Sequence, residues 1–323
     1  MKPIFSLFLA TLGFGVANHA QAQTWPAKPL LAVVPVAAGS LTDTISRLVS
    51  DRLSSQLGQA VIVENRTGAG GNIAVEAVTR APADGYTLLQ LNVANTINTA
   101  LYERLSFNLL NDIAPIASFM RVPNVMEVTP SLPVKTVPEF IAYAKANPGK
   151  ISFASSGVGS SIHMSGELFK AMAKINMLHV PYRGIAAGGL SDLMTGVVHV
   201  AFDNLPSSIE LIRSGKVRAL AVTTTARSEL LPDVPTVGDF PPGYEASAWY
   251  GVGAPRGTPS EIVEMLNKEL NAAFADPTTR ARIVDLGGTP LPGSPADFGR
   301  FVAKEVEKWG KVVEFFGTKI KAE

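Results

Sequence analysis

Three short stretches rich in Gly, Ser and Ala and almost free of charge are the places where this chain could hold an anion. They are Ala37-Ala38-Gly39-Ser40-Leu41-Thr42-Asp43, Ser155-Ser156-Gly157-Val158-Gly159-Ser160-Ser161 and Gly184-Ile185-Ala186-Ala187-Gly188-Gly189. Each follows a short apolar run and opens a segment of helical periodicity, so each reads as a strand-to-helix turn. The first N–H groups of a helix have no partner inside it, and the helix dipole favours negative charge there. Such a turn offers backbone donors to a carboxylate, with Ser and Thr hydroxyls beside them. Ordinary turns use the same residue types, Gly for tight geometry and Ser or Thr for capping, and spacing alone does not show that the three converge. The candidate ligand contacts are Gly39, Ser40, Thr42 and Asp43 in the first turn, Ser155, Ser156, Gly159 and Ser160 in the second, and Ala187 in the third. Asp203 joins them: with Asn204 it closes a predicted strand, where capping a helix is its other role. Arg183 is the only basic residue in or beside the turns.

Covalent chemistry finds less support. Ser160 and His163 fall on one predicted first helical turn and could pair as nucleophile and base in a hydrolase-like cleft, but no third, orienting group is indicated, and capping and packing account for both. The chain has no nucleophile elbow, no P-loop and no complete dinucleotide fingerprint; Gly68-Ala69-Gly70-Gly71 reads as a turn before a helix. His163, His179 and His199 lack metal-ligand spacing. The absence of cysteine excludes thiolate catalysis, disulfides and a lipid-anchored N-terminus. No catalytic residue, metal ligand or cofactor is therefore assigned.

The elements that would position the turns alternate. A strand at Leu30–Val36 leads to a helix carrying Ile45, Leu48, Val49, Leu53 and Leu57 on one face, capped by Thr42 or Asp43 and stopped at Gly58. A strand at Val61–Val63, a helix at Asn72–Thr79 and a strand at Tyr86–Leu91 follow. The pattern restarts with a strand at Val125–Val128 and a helix from Val137, where Thr136 and Glu139 have capping-box spacing. Strands at Ile151–Ala154, Leu178–Pro181, Val198–Phe202 and Val217–Val222 alternate with helices near Ser160 and from Ala187 to Met194. Ala246–Val252 reads as a strand returning to the first half. Beyond it lie a helix with Thr258 and Glu261 as capping box and Pro259 at its first position, and a last helix over Pro295–Phe316. Alternation of this kind favours mainly parallel sheets covered on both faces. It fits two α/β lobes, 23–122 with 250–323 and 123–249, joined by crossings near Arg121–Pro123 and Trp249–Gly253.

Lys2, the apolar run Ile4–Ala17 and the small residues up to Ala22 form a secretory leader, with cleavage expected after Ala22. A net charge of +1, 17% charged residues and no Lys/Arg-rich block argue against a nucleic-acid partner.

Several collinear motifs then carry a family resemblance: VENRTGAGGN (63–72), DGYTLL (84–89), SSGVGSSIHMSGELFK (155–170), HVPYRG (179–184), FDNLPSS (202–208), GKVRALAVTT (215–224), LPDVPTV (231–237) and WYGVGAP (249–255). The chain resembles the substrate-binding receptors of tripartite tricarboxylate transporters, the Bug-type periplasmic receptors. The resemblance implies a two-lobed type-2 periplasmic-binding-protein fold. It also implies a small organic acid held by the turns at Gly39–Asp43 and Ser155–Ser161, partly through ordered water. The implied partner is a tripartite tricarboxylate membrane permease or a sensor protein, and the chain is expected to act as a monomer. The first turn departs from the pattern common in relatives, with Val36 where an aromatic often stands and Ser40 and Leu41 narrowing it, which alters the pocket's shape.

Overall fold

The computed structural model describes residues 25–317, 319 and 320. The expected leader, with its expected cleavage after Ala22, lies outside the described residues.

Strand β1 (Leu30–Val34) pairs in parallel with β2 (Val61–Asn65) and β3 (Thr87–Asn92), the three connected through α1 (Leu41–Leu57) and α2 (Asn72–Thr79). Ser40 caps α1, accepting from the Asp43 N–H, where the sequence suggested Thr42 or Asp43. The reason is local: Asp43 is turned back into the turn, and only Ser40 has extended backbone angles. Gly58 ends α1 in the left-handed region, as expected. Helix α3 (Val93–Leu101) follows β3 directly, and the short α4 (Leu109–Asp112) comes after it.

Strand β4 runs for 16 residues, Ile113–Val128, far beyond the Val125–Val128 seen in the sequence. Pro115 and Pro123 hide the longer strand, because each removes a ladder donor. Up to Pro123, β4 pairs with β9 (Ser247–Pro255) and with the short β10 (Thr289–Pro290); from Asn124 it pairs with β7 (Val200–Asn204) and β8 (Arg218–Val222). Between these segments come α5 (Val137–Ala146), β5 (Ser152–Ser155), α6 (Ser161–Ala173), β6 (Leu178–Pro181), α7 (Leu190–Thr195) and α8 (Leu205–Arg213). β5 is parallel to both β6 and β7. The helix expected from Ala187 starts at Leu190; before it, Ile185–Gly189 forms a wide, irregular turn.

The strand order β2-β1-β3-β9-β4-β7-β5-β6 makes one sheet whose two halves share β4. The chain returns beside that junction: Ala246 N–H donates to Thr223, which itself bonds Asn124, and Ser247 is level with Pro123. Helices α9 (Ser260–Ala275) and α10 (Pro277–Asp285) pack with α1 over one face of the first half. α9 has no side-chain cap: Thr258 donates its hydroxyl to the Pro255 carbonyl, so the expected Thr258–Glu261 box is not formed. The last helix, α11 (Pro295–Phe316), packs on both α3 and α6 and closes the other face with a core rich in Phe, Val and Trp. No described helix is long and apolar enough to cross a membrane.

Candidate functional site

The register of the strands aims the turns at the junction. Asn92 ends β3 level with Tyr250, near the start of β9, while Asn204 ends β7 level with Asn124, where β4 changes partners. The carboxyl ends of the parallel strands in both halves thus point toward the same gap, the position where open α/β sheets bind ligands.

In the first turn the side chain of Asp43 is buried and fully engaged. Its Oδ2 accepts from the Gly39 N–H at 2.9 Å and from Arg47 Nε at 3.0 Å, and its Oδ1 from Asn65 Nδ2 at 2.8 Å. Burial works to raise its pKa, but the bonds from Arg47, Gly39 and Asn65 outweigh it and hold the carboxyl below its ordinary value. Asp43 and Gly39, at φ +82°, therefore shape the turn. Ser40 is occupied as the cap, and the first intrahelical bond runs from Thr44 N–H to the Ser40 carbonyl. What remains for a ligand are the Leu41 and Thr42 N–H groups. The Thr42 hydroxyl lies beside that of Tyr250, a phenol that burial pushes up to about 12.

The second turn repeats this economy. Ser160 Oγ donates to the Gly157 carbonyl at 2.7 Å and accepts from the His163 N–H at 3.1 Å. Ser155 is buried, with its hydroxyl 2.6 Å from His179 Nε2. The Gly159 N–H donates to His163 Nδ1 at 3.2 Å, so that donor is committed to the protein. The Ser161 and Ile162 N–H groups and the half-buried Ser156 hydroxyl are left uncommitted among the described residues. Ser160 meets the main chain of His163 and not its ring, whose single lone pair is taken by Gly159. Burial, then the neighbouring His179 and Lys170, push His163 down to about 3. The two residues are therefore not arranged as nucleophile and base.

The third turn flanks the second: Tyr182 N–H donates to the Ser155 carbonyl, and Gly157 lies against the Tyr182 carbonyl. The Tyr182 ring lies against Gly188 and Gly189, and its hydroxyl donates to Asp192 Oδ2 at 2.6 Å; burial first and then Asp192 push the phenol up to about 12. Ala187 is exposed on this wall.

Asp203, at the end of β7, is fully buried. Its carboxylate accepts from the Asn204 N–H at 2.7 Å and meets Ser208 Oγ at 2.9 Å; the same hydroxyl lies 2.8 Å from Glu127 Oε1. One hydroxyl hydrogen cannot serve both carboxyls, so the pair retains a proton of its own. Burial raises Asp203 to about 6, and burial together with the Asp203 charge holds Glu127 well above its ordinary value.

Four asparagines connect the two rims and were missed in the sequence. Asn98 Nδ2 donates to the Gly70 carbonyl at 3.0 Å and to Asn72 Oδ1 at 2.9 Å, while Asn95 Oδ1 accepts from the Asn92 N–H at 2.9 Å. A Cβ on Gly71 would stand 2.9 Å from Pro35 Cβ and 3.8 Å from Asn95 Nδ2; one on Gly159 would stand 2.8 Å from Leu101 and 3.7 Å from Asn98 Oδ1. α3 thus reaches from the end of β1 to the second turn. The available signal was the three-residue spacing of Asn92, Asn95 and Asn98 at a strand's end. No group of three or more His, Cys, Asp or Glu able to hold a metal occurs among the described residues.

Comparison with protein families matches residues 45–318 to the tripartite tricarboxylate transporter family receptor. The chain belongs to this family. Among its relatives is the protein BugT of Bordetella pertussis, 36% identical over 323 residues and covering 98% of each chain. Another is a protein from the tcbD-tcbE intergenic region of a Pseudomonas species, 37% identical over 291 residues, 90% of this chain and 86% of the relative. Among solved structures, Rpa4515 of R. palustris with adipate superposes with a TM-score of 0.79 at 39% identity, covering 92% of this chain and all of that one. MatC of Rhodopseudomonas palustris with bound malate gives 0.76 at 31% identity, covering 90% of this chain and all of MatC. The sheet shared through β4 is accordingly the two-lobed fold of these periplasmic receptors, as the sequence motifs implied.

Proposed function

We propose that this chain is a periplasmic receptor that captures a small organic acid between its lobes and releases it unchanged, without covalent chemistry. What supports the proposal is that two turns, each at the carboxyl end of a parallel strand, have two helix-terminal N–H groups uncommitted among the described residues: Leu41 and Thr42 in the first, Ser161 and Ile162 in the second. A carboxylate is ionised near neutral pH and enters a buried site only with its charge hydrogen-bonded. These donors, with the Thr42 and Ser156 hydroxyls, supply that. Gly39, Ser40, Asp43, Ser155, Gly159 and Ser160 hold the turns in shape, Ala187 borders the ligand, and Asp203 and Asn204 close the end of β7. The lobes we assign are 23–122 with 250–323 and 123–249, with crossings near Arg121–Pro123 and Trp249–Gly253; the change of partners along β4 at Pro123–Asn124 supports the first of these. A leader cleaved after Ala22, a monomeric state and delivery to a tripartite tricarboxylate permease or to a sensor belong to the same proposal. Adipate and malate, the acids bound by two relatives, are the first ligands to try.

The test is calorimetric titration of adipate, malate and a panel of related acids, with thermal shift as the screen, since binding to the native state alone raises stability by RT ln(1 + [L]/Kd). For an acid that binds, Gly159→Leu is expected to abolish binding by displacing the second turn. Arg183→Ala should cost little, and Ser156→Ala about 1–3 kcal/mol, the usual penalty for a lost bond to a charged group. Loss of binding in Arg183→Ala with binding kept in Gly159→Leu would replace this grip by an ion pair. Turnover of the acid, abolished by Ser160→Ala, would overturn the receptor reading itself.

A further inference from the structure

The second turn belongs to one assigned lobe and rests on the last residues of two helices of the other. Gly159 lies so close to α3 that a Cβ on it would stand 2.8 Å from Leu101 Cδ2. His163, whose Nδ1 holds the Gly159 N–H, meets Phe316 edge-to-face with ring centroids 5.5 Å apart. Leu101 ends α3 and Phe316 ends α11, so the two form one apolar abutment against the turn. The chain beyond α11 fastens them to each other. The Ile320 N–H donates to the Leu101 carbonyl at 2.7 Å and the Glu103 N–H to the Ile320 carbonyl at 3.0 Å, a parallel bridge at Tyr102. Phe316 and Ile320 are both half-buried against the core that Leu101, Val312 and Val313 share. α11 needs none of this to terminate: Gly317, at φ +71°, caps it by donating its N–H to the Val313 carbonyl. Chain ends fray unless they are tied down, and what this tie fixes is the place of Phe316 relative to Leu101.

We propose that Phe316, fastened through Ile320 to the end of α3, is a positioning residue for the second turn: it holds the His163 ring, and through it Gly159, where the Ser161 and Ile162 N–H groups reach the acid. This rests on the receptor reading above. With its Nδ1 lone pair on Gly159, the neutral His163 ring carries its hydrogen on Nε2, 3.7 Å from Glu167 Oε1. Turning the ring over would take the acceptor away from Gly159. Phe316 on one side and His179, stacked at 4.0 Å, on another oppose that rotation. The contact joins the two assigned lobes, so opening the cleft draws Phe316 and Leu101 away from the turn. Acid binding and the docking of the carboxyl end of α11 therefore favour each other, and a coupling of this kind acts equally in both directions.

The experiment compares the mature chain with Phe316→Ala, Phe316→Leu and a chain ending at Gly317, and uses Phe315→Ala, its exposed neighbour, as the control. Each is titrated calorimetrically with adipate, malate and the related acids, and amide exchange is followed by nuclear magnetic resonance. Phe316→Ala and the chain ending at Gly317 are expected to bind about tenfold more weakly, with faster exchange of the Gly159 amide before any acid is added. Phe316→Leu keeps an apolar contact and should recover most of that loss, and Phe315→Ala should match the wild type. In the wild type, acid should slow exchange of the Ile320 and Glu103 amides, which lie in neither turn. Should Phe316→Ala not fold, the chain ending at Gly317 keeps every residue of α11 and carries the same comparison. A lower urea midpoint in these variants, with affinity and Gly159 exchange unchanged, would mean that the tie serves stability alone; it overturns the positioning role and leaves the receptor reading standing. If the wild type binds none of the acids, the receptor reading falls and the positioning role with it.

Discussion

His163 commits the lone pair of its ring to the Gly159 N–H and stacks on His179, with ring centroids 4.0 Å apart, so it is built to remain neutral. Its folded pKa, pushed down to about 3, lies below the unfolded value of 6.5, so the unfolded chain takes up the proton first as the pH falls. The stability contributed by neutral His163 is therefore present above pH 6.5 and is lost as the pH drops toward 3, by up to about 1.4 kcal/mol per unit. Asp203 acts in the opposite sense. Raised to about 6, it favours the folded state at low pH and loses that contribution as the pH rises through its folded value. A comparison of urea midpoints at pH 7 and pH 4.5 separates them: His163→Asn, which keeps an acceptor on the side chain but does not titrate, is expected to lose less stability than the wild type. Residues of this kind show how far the sequence reaches. The strand-to-helix turns were legible because Gly and Ser runs after apolar stretches are a local signal, although the cap of α1 is Ser40 and not Thr42 or Asp43. That Asp43, Ser160 and Gly159 spend their polar groups on their own turns was not, because it depends on Asn65, Arg47 and the rotation of His163. The partnership of Asp203 with Glu127 was hidden for a similar reason, since adjacent strands far apart in the chain bring them together.

At the level of elements, α2, β6 and α11 have the bounds that periodicity and caps predict, each being decided within one stretch of chain. β4 was seen only at its end, and α3 and α8 not at all, because each follows a strand without an intervening loop and no break marks the change of period. α11 is fastened to the sheet by a buried polar contact: Glu305 Oε2 accepts from the indole N–H groups of both Trp249, on β9, and Trp309, at 3.0 and 2.9 Å. Replacing Glu305 by Ala strands two buried donors and is expected to cost about 2–5 kcal/mol in urea unfolding. Glu305→Gln retains an acceptor and should cost less than half as much. Equal losses for the two would mean that the charge, paired with Lys308, matters and the indoles do not.

At the scale of the molecule, the lobes share β4 and are overlaid by α11, so any opening of the cleft must bend a continuous strand at Pro123–Asn124 and shift α11 against α3 or α6. A receptor of this form closes on its ligand as two bodies. Small-angle scattering with a verified acid should therefore give a smaller radius of gyration than without it, and an unchanged radius would argue for a preformed, rigid cleft. The place of β9 in the sheet has another consequence, for how the molecule comes into being. β9 lies between β3 and β4, yet it follows them in the chain by the whole length of the second lobe. Until Ser247–Pro255 has been synthesised, β3 presents an unpaired edge of buried-type residues, and the first lobe cannot complete its sheet. The amino-terminal portion is thus a poor candidate for folding while it is being made. The long-range pairing that β9 supplies comes late and slowly, so a newly made chain stays pliable, and prone to aggregate, until nearly four-fifths of it exists.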